Sequence, residues 1–160
     1  MSDYTIRRLT VNDAEKLYLF YQDNELKTFY RPYGENVALE DIVSMPIARI
    51  AANTELGLII VNNKGDILGH AFLRQNPNNK TEYGFGIGLN SKLRGKGLGR
   101  KLMQDLFKLG EDTGVKRITL SVFSKNTKAL NLYKSFGFKE VKRATSDKNE
   151  ESIYMIKSLT

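Results

Sequence analysis

Arg94-Gly95-Lys96-Gly97-Leu98-Gly99 is the stretch from which the reading of this chain proceeds. An apolar run with strand character, Phe85-Gly86-Ile87-Gly88-Leu89, precedes it, and a run with helical spacing, Leu98, Leu102, Leu106 and Leu109, follows. A glycine-rich turn between a strand and a helix N-terminus leaves backbone N–H groups without intrahelical partners. The positive end of the helix dipole adds to them, so the turn can hold an anion. The glycines let a phosphate approach the backbone with no Cβ in the way. Arg94, Lys96, Arg100 and Lys101 surround it with positive charge. A tight turn with a solvated basic rim satisfies the same pattern. The P-loop pattern is absent, because no Gly-Lys here is followed by Ser or Thr. The dinucleotide fingerprint also fails, because Arg100 stands where its third glycine belongs.

What fits is R/Q-x-x-G-x-G/A, read as Arg94-x-x-Gly97-x-Gly99. A second block lies downstream. Ser121-Val122-Phe123 reads as a strand, followed by Asn126-x-x-Ala129-x-x-Leu132-Tyr133-x-x-x-Gly137-Phe138. In these two blocks, in this order and at this separation, the chain resembles the GNAT superfamily of acetyl-CoA-dependent N-acetyltransferases. Ile6-Arg7-Arg8-Leu9-Thr10-x-x-Asp13-Ala14 resembles the opening strand and first helix of that family. The resemblance covers nearly the whole chain and is weakest between Leu26 and Ala52. It implies a single domain over residues 1–160, of mixed α/β (α+β) class. The implied sheet is twisted and mostly antiparallel, with about seven strands, about four flanking helices and a splay between strands four and five.

Composition sets outer bounds. A chain of 160 residues suits one domain with a sizeable core. There is no cysteine, which excludes disulfides, thiolate metal sites and a cysteine nucleophile. The single histidine, His70, lies in an apolar run and reads as a strand residue; no metal is expected. No apolar run is long enough to span a bilayer and the N-terminus has no signal-peptide core, so a cytoplasmic protein with no membrane partner is expected. The formal net charge of +7 favours polyanionic partners. A lysine-rich solvated surface accounts for most of it, and a phosphate-bearing cofactor could account for part.

The patterns place strands at Thr5–Leu9, Leu56–Val61, Ile67–Leu73, Glu82–Leu89, Arg117–Phe123, Phe138–Arg143 and Ile153–Leu159. Helices are expected from Asn12 or Asp13 to Asn24, from Asn36 to Ala51 with a kink or break at Pro46, from the glycine turn to Asp112, and from Asn126 to Gly137. Gly84, Gly86 and Gly88 leave one face of the fourth strand bare. Either another element packs closely over that face, or a ligand lies against the backbone. The resemblance favours the ligand, the pantetheine arm of the cofactor.

Amide formation from a thioester and an amine requires a deprotonated amine, a polarised carbonyl and a stabilised thiolate, and needs no metal or covalent intermediate. Asn126, Ala129, Leu130 and Tyr133 share one helix face by spacing, so a phenol and an amide lie on one stripe. The family assigns Tyr133 as the acid for the leaving thiolate, with Asn126 and Ala129 beside the cofactor arm. Glu82 stands where several members place a catalytic base; others use a water chain. A backbone N–H near Leu89 is expected to polarise the carbonyl. Arg94, Gly95, Lys96, Gly97, Leu98, Gly99 and Arg100 are expected around the pyrophosphate. For the acceptor, Phe29, Tyr30, Tyr33, Glu35, Asp147, Glu150 and Glu151 suggest a cationic amine: a polyamine, a lysine or a protein N-terminus. The implied partner is a small-molecule or peptide amine, on a monomer or homodimer. Two other readings remain: a CoA-binding module without catalysis, and a basic nucleic-acid-binding protein. The second lacks basic residues clustered with aromatics, so no nucleic acid is expected.

Overall fold

The computed structural model describes residues 3–23 and 39–159. In chain order the elements are β1 (Tyr4–Arg8), a 3-10 turn (Val11–Asp13), α1 (Ala14–Tyr21), α2 (Leu39–Ala51), β2 (Glu55–Asn62), β3 (Ile67–Asn76) and β4 (Asn79–Leu89). There follow α3 (Leu98–Asp112), β5 (Arg117–Phe123), α4 (Thr127–Ser135), β6 (Lys139–Thr145) and β7 (Glu151–Ser158). The strands form one seven-stranded sheet in the order β1-β2-β3-β4-β5-β7-β6. Every neighbouring pair is antiparallel except β4–β5, which α3 joins as a parallel crossover. The architecture implied by the resemblance is therefore the one observed. β7 lies inside the sheet, between β5 and β6.

Each face of the sheet carries its own core. On one, Leu102, Met103, Leu106 and Phe107 of α3 join a cluster with Leu58, Ile60, Ala71 and Leu73 of β2–β3 and Ile118, Leu120 and Val122 of β5. On the other, Leu17, Phe20 and Tyr21 of α1 and Ile42 and Val43 of α2 cluster with Ile59 and Val61. Alternation along β2 sends its side chains to both layers. The β1–α1 corner is pinned by Asp13, which accepts from the Arg7 guanidinium at 2.8 and 2.9 Å and from Thr10 N at 2.8 Å. Hydrogen bonding by Arg7 holds the Asp13 carboxyl down at about 2.

Three expectations are corrected. Pro46 does not break α2, which runs through it; the lost backbone bond is outweighed by burial of Ile42 and Val43. β4 begins at Asn79, so Glu82 sits inside the strand, not at its start. β6 starts after Phe138, whose buried ring joins the α3–α4 core instead.

Candidate active site

Pairing between β4 and β5 lasts three rungs: Glu82↔Arg117, Tyr83↔Ile118 and Gly84↔Thr119. Beyond Gly84 the two strands part, as expected. The direction of the exposed backbone follows from two hydrogen bonds. Asn90 N donates to Leu68 O at 2.8 Å, so β4 residues of even number turn their polar backbone toward β3. Lys116 N donates to Thr81 O at 2.9 Å, so odd residues face β5. The last rung, Gly84↔Thr119, uses the Phe85 N–H, so the N–H groups of Ile87 and Leu89 are the ones that face the slot where, among the described residues, β5 no longer pairs with β4. Backbone donors so placed need a partner. Leu89, expected to offer its N–H to a carbonyl, is the last residue of β4 on that side.

The glycine turn opens α3 beside that slot. Leu93 is buried beneath it, while Arg94, Gly95, Lys96 and Gly97 are exposed. Gly95 (φ +74°) and Gly97 (φ +72°) adopt the left-handed conformation that glycine tolerates. A Cβ at either would meet nothing within 4 Å, so their solvent side is open. Lys101 N donates to Gly97 O, and the N–H groups of Leu98, Gly99 and Arg100 precede the first full helical bond. Gly99 serves a different need: a Cβ there would lie 2.8 Å from Leu89 Cδ1, so it lets α3 pack on β4. The Arg100 guanidinium stacks over the Phe136 ring at 5.1 Å and donates to Ser135 Oγ, tying α3 to α4. Lys96 lies over the Tyr4 ring at 5.7 Å.

Tyr133 meets the slot where it opens. Its ring stands edge-on to Phe85, the first residue past the last rung, at 6.0 Å, and packs against Phe138. Burial pushes the phenol up to about 12, so it keeps its proton at neutral pH and can donate. Asn126 caps α4, its Oδ1 accepting from Ala129 N at 3.2 Å. The structure thus brings Leu89, the glycine turn, Ala129 and Tyr133 to one layer of the sheet. Glu82 lies on the opposite face, with Gly84. It accepts from Asn76 Nδ2 at 3.2 Å and from Arg117 Nη1 at 3.3 Å.

The bare glycine face is filled at one position and open at another. A Cβ at Gly86 would lie 2.4 Å from Phe72 Cζ, so there the space is filled by a ring. At Gly84 the nearest atoms are Thr119 Oγ1 at 3.9 Å and the Arg74 carbonyl at 4.0 Å, so there it is open.

Of the acceptor candidates, Phe29, Tyr30, Tyr33 and Glu35 lie outside the described residues. Asp147 and Glu150 occupy the β6–β7 turn, and Glu151 pairs with Arg143 at 3.0 Å.

The sequence reading missed two features on the α1–α2 side. His70 is fully buried, as a strand residue should be, and its Nδ1 hydrogen-bonds the Tyr21 hydroxyl. Burial pushes its imidazole down to about 3, so it is neutral. Glu55 is 3% exposed and burial pushes its carboxyl up to about 7, against the opposing pull of Arg49 and Arg74. Among the described residues, His70 Nε2 and Glu55 Oε2 are the buried side-chain atoms without a hydrogen-bond partner. Both residues line a cavity of about 10 Å³ under α2, room for about one water. The only signal in the sequence was a carboxylate abutting an apolar strand.

The chain is similar to known proteins in sequence and in fold. The chain is 25% identical over 143 residues to the L-amino acid N-acetyltransferase AaaT of Escherichia coli (strain K12), covering 86% of this chain and 84% of that one. Over 51 residues, 31% of this chain and 34% of the relative, it is 43% identical to the spermine/spermidine N(1)-acetyltransferase of Bacillus subtilis (strain 168). The solved structure of yncA, a putative acetyltransferase from Salmonella typhimurium with its cofactor acetyl-CoA, superposes with a TM-score of 0.80 at 20% identity, over 99% of this chain and 95% of that one. Residues 13–138 match the model of the Acetyltransferase (GNAT) family, and the chain belongs to that family.

Proposed function

We propose that the β4–β5 slot is where this N-acetyltransferase moves an acetyl group from acetyl-CoA to an amine, with Tyr133 as the acid. The observation that supports this reading is the pair of N–H groups on Ile87 and Leu89, facing a gap that Tyr133 borders through its contact with Phe85. The bound cosubstrate supplies an activated acyl group as a thioester. The open left-handed glycines 95 and 97 and the first N–H groups of α3 suit its pyrophosphate, with Arg94 and Lys96 on the rim. Asn126 and Ala129 border the arm that enters the slot. Leu89 N–H is aimed to polarise a carbonyl lying there. Tyr133, held as a phenol, donates to the departing sulfur. On the far face Glu82 is the proton acceptor for the incoming amine, directly or through water. Because both cores share one sheet, residues 1–160 read as one domain.

The test is calorimetric titration with acetyl-CoA. Gly97→Glu places a carboxylate at the pyrophosphate site and should weaken binding at least about tenfold, ~1.4 kcal/mol. Gly97→Ala carries the same backbone strain without the charge and should weaken it less. Equal binding by all three proteins, or none by the unaltered protein, refutes this assignment.

A further inference from the structure

Two of the relatives are named for unlike acceptors: an L-amino acid, which carries a carboxylate, and a polyamine, which carries cations alone. A groove on the acceptor side of the sheet distinguishes them. Its volume is about 500 Å³, within the range of small-molecule sites. Its floor is Gly84 and Thr119, the last paired rung before the strands part. Arg49, near the end of α2, Arg74 of β3, Glu82 and Tyr154 also line it.

The two arginines converge by construction. Arg74 is the register partner of Glu55, and Arg49 Nη1 lies 3.9 Å from Glu55 Oε1. That distance is too long for a hydrogen bond, so the buried carboxyl leaves the Arg49 fork with donors in hand. Arg74 also stands over the Phe72 ring at 5.8 Å, which orients its planar group. The other charge in the lining, Glu82, already accepts from Arg117 and Asn76. The lining of the groove therefore carries net positive charge, and guanidinium forks recognise planar anions in bidentate fashion.

Resting on the acetyltransferase reading above, we infer that the acceptor is a small amine carrying a carboxylate, such as a free amino acid. Its carboxylate is held by Arg49 and Arg74, and its amine lies over Gly84 toward the slot. A polyamine would set its cations against both guanidinium groups, which costs affinity. The sign is opposite to the cationic acceptor that the acidic residues of the sequence suggest.

The experiment measures acetylation of free L-amino acids, each beside its own carboxamide, together with spermidine. Acids should be preferred over carboxamides by at least about tenfold in kcat/KM. Arg74→Gln and Arg49→Gln should raise KM for the acid about tenfold or more, leave the carboxamide nearly unchanged, and leave acetyl-CoA binding intact. Gly84→Ala, whose Cβ meets no atom closer than 3.9 Å, should fold, bind acetyl-CoA and lower acceptor turnover. Carboxamides or spermidine acetylated as well as the acids would overturn the inference and leave the transferase reading standing. Loss of acid and carboxamide turnover in equal measure in both arginine variants would also overturn it. Absence of both acetyl-CoA binding and acetylation of any amine would overturn the two together.

Discussion

Tyr133 shows how one residue acquires a chemical role from its surroundings. Spacing alone puts a phenol on an apolar helix face, where most tyrosines are packing residues with a polar tip. Here the ring packs against Phe85 and Phe138 at the mouth of the slot that opens past the Gly84↔Thr119 rung. Burial keeps it protonated, which a donor to a thiolate requires. Tyr133→Phe keeps the ring and removes the donor. It should lower kcat by about 100-fold or more while the acetyl-CoA dissociation constant stays the same. Steady-state kinetics beside calorimetry would separate the two, and an unchanged kcat would remove Tyr133 from the mechanism. Glu82 is held differently, between Arg117 and Asn76, so the parallel rung that joins β4 to β5 also positions the proposed base.

At the scale of elements, the legible parts of the sequence were those whose chemistry is local. The glycine turn, the Asn126 cap and the hairpin Asn62–Asp66 declare themselves because positive φ and side-chain caps admit few residue types. The alternation of Gly84, Gly86 and Gly88 was visible, but its meaning was not. Whether a bare position is filled depends on Phe72, a residue of another strand set opposite Gly86 by register. The Arg49–Arg74–Glu55 group was invisible for the same reason: α2, β2 and β3 meet only in the folded chain. That group makes a prediction for the β2–α2 contact. Folding raises the Glu55 carboxyl from 4.5 to about 7, chiefly by desolvation. The folded state then holds a proton that the unfolded chain releases, so stability is full below pH 4.5 and declines as pH rises to about 7. Glu55→Gln is neutral throughout. It should match the natural protein near pH 4 and exceed it by about 1–3 kcal/mol at pH 8 in urea unfolding. A stability difference that does not change with pH would contradict this.

For the molecule as a whole, the sheet divides labour between its faces. The α3–α4 side carries the glycine turn and the phenol; the α1–α2 side carries Glu82 and the arginine groove. Among the described residues, both sides border the point past Gly84 where β4 and β5 separate. A donor and an acceptor entering from opposite faces can both be bound at once, which is the condition for direct attack in a ternary complex. No helix among the described residues is long and apolar enough to cross a membrane, and no group of metal-ligating side chains gathers there. The most direct measurement is a crystal structure with acetyl-CoA bound. The account predicts the pyrophosphate on the Gly95–Arg100 turn, the thioester carbonyl accepting from a β4 N–H at the slot, and the sulfur within hydrogen-bond reach of the Tyr133 hydroxyl. A thioester lying outside the slot, or a sulfur beyond the reach of Tyr133, would contradict it.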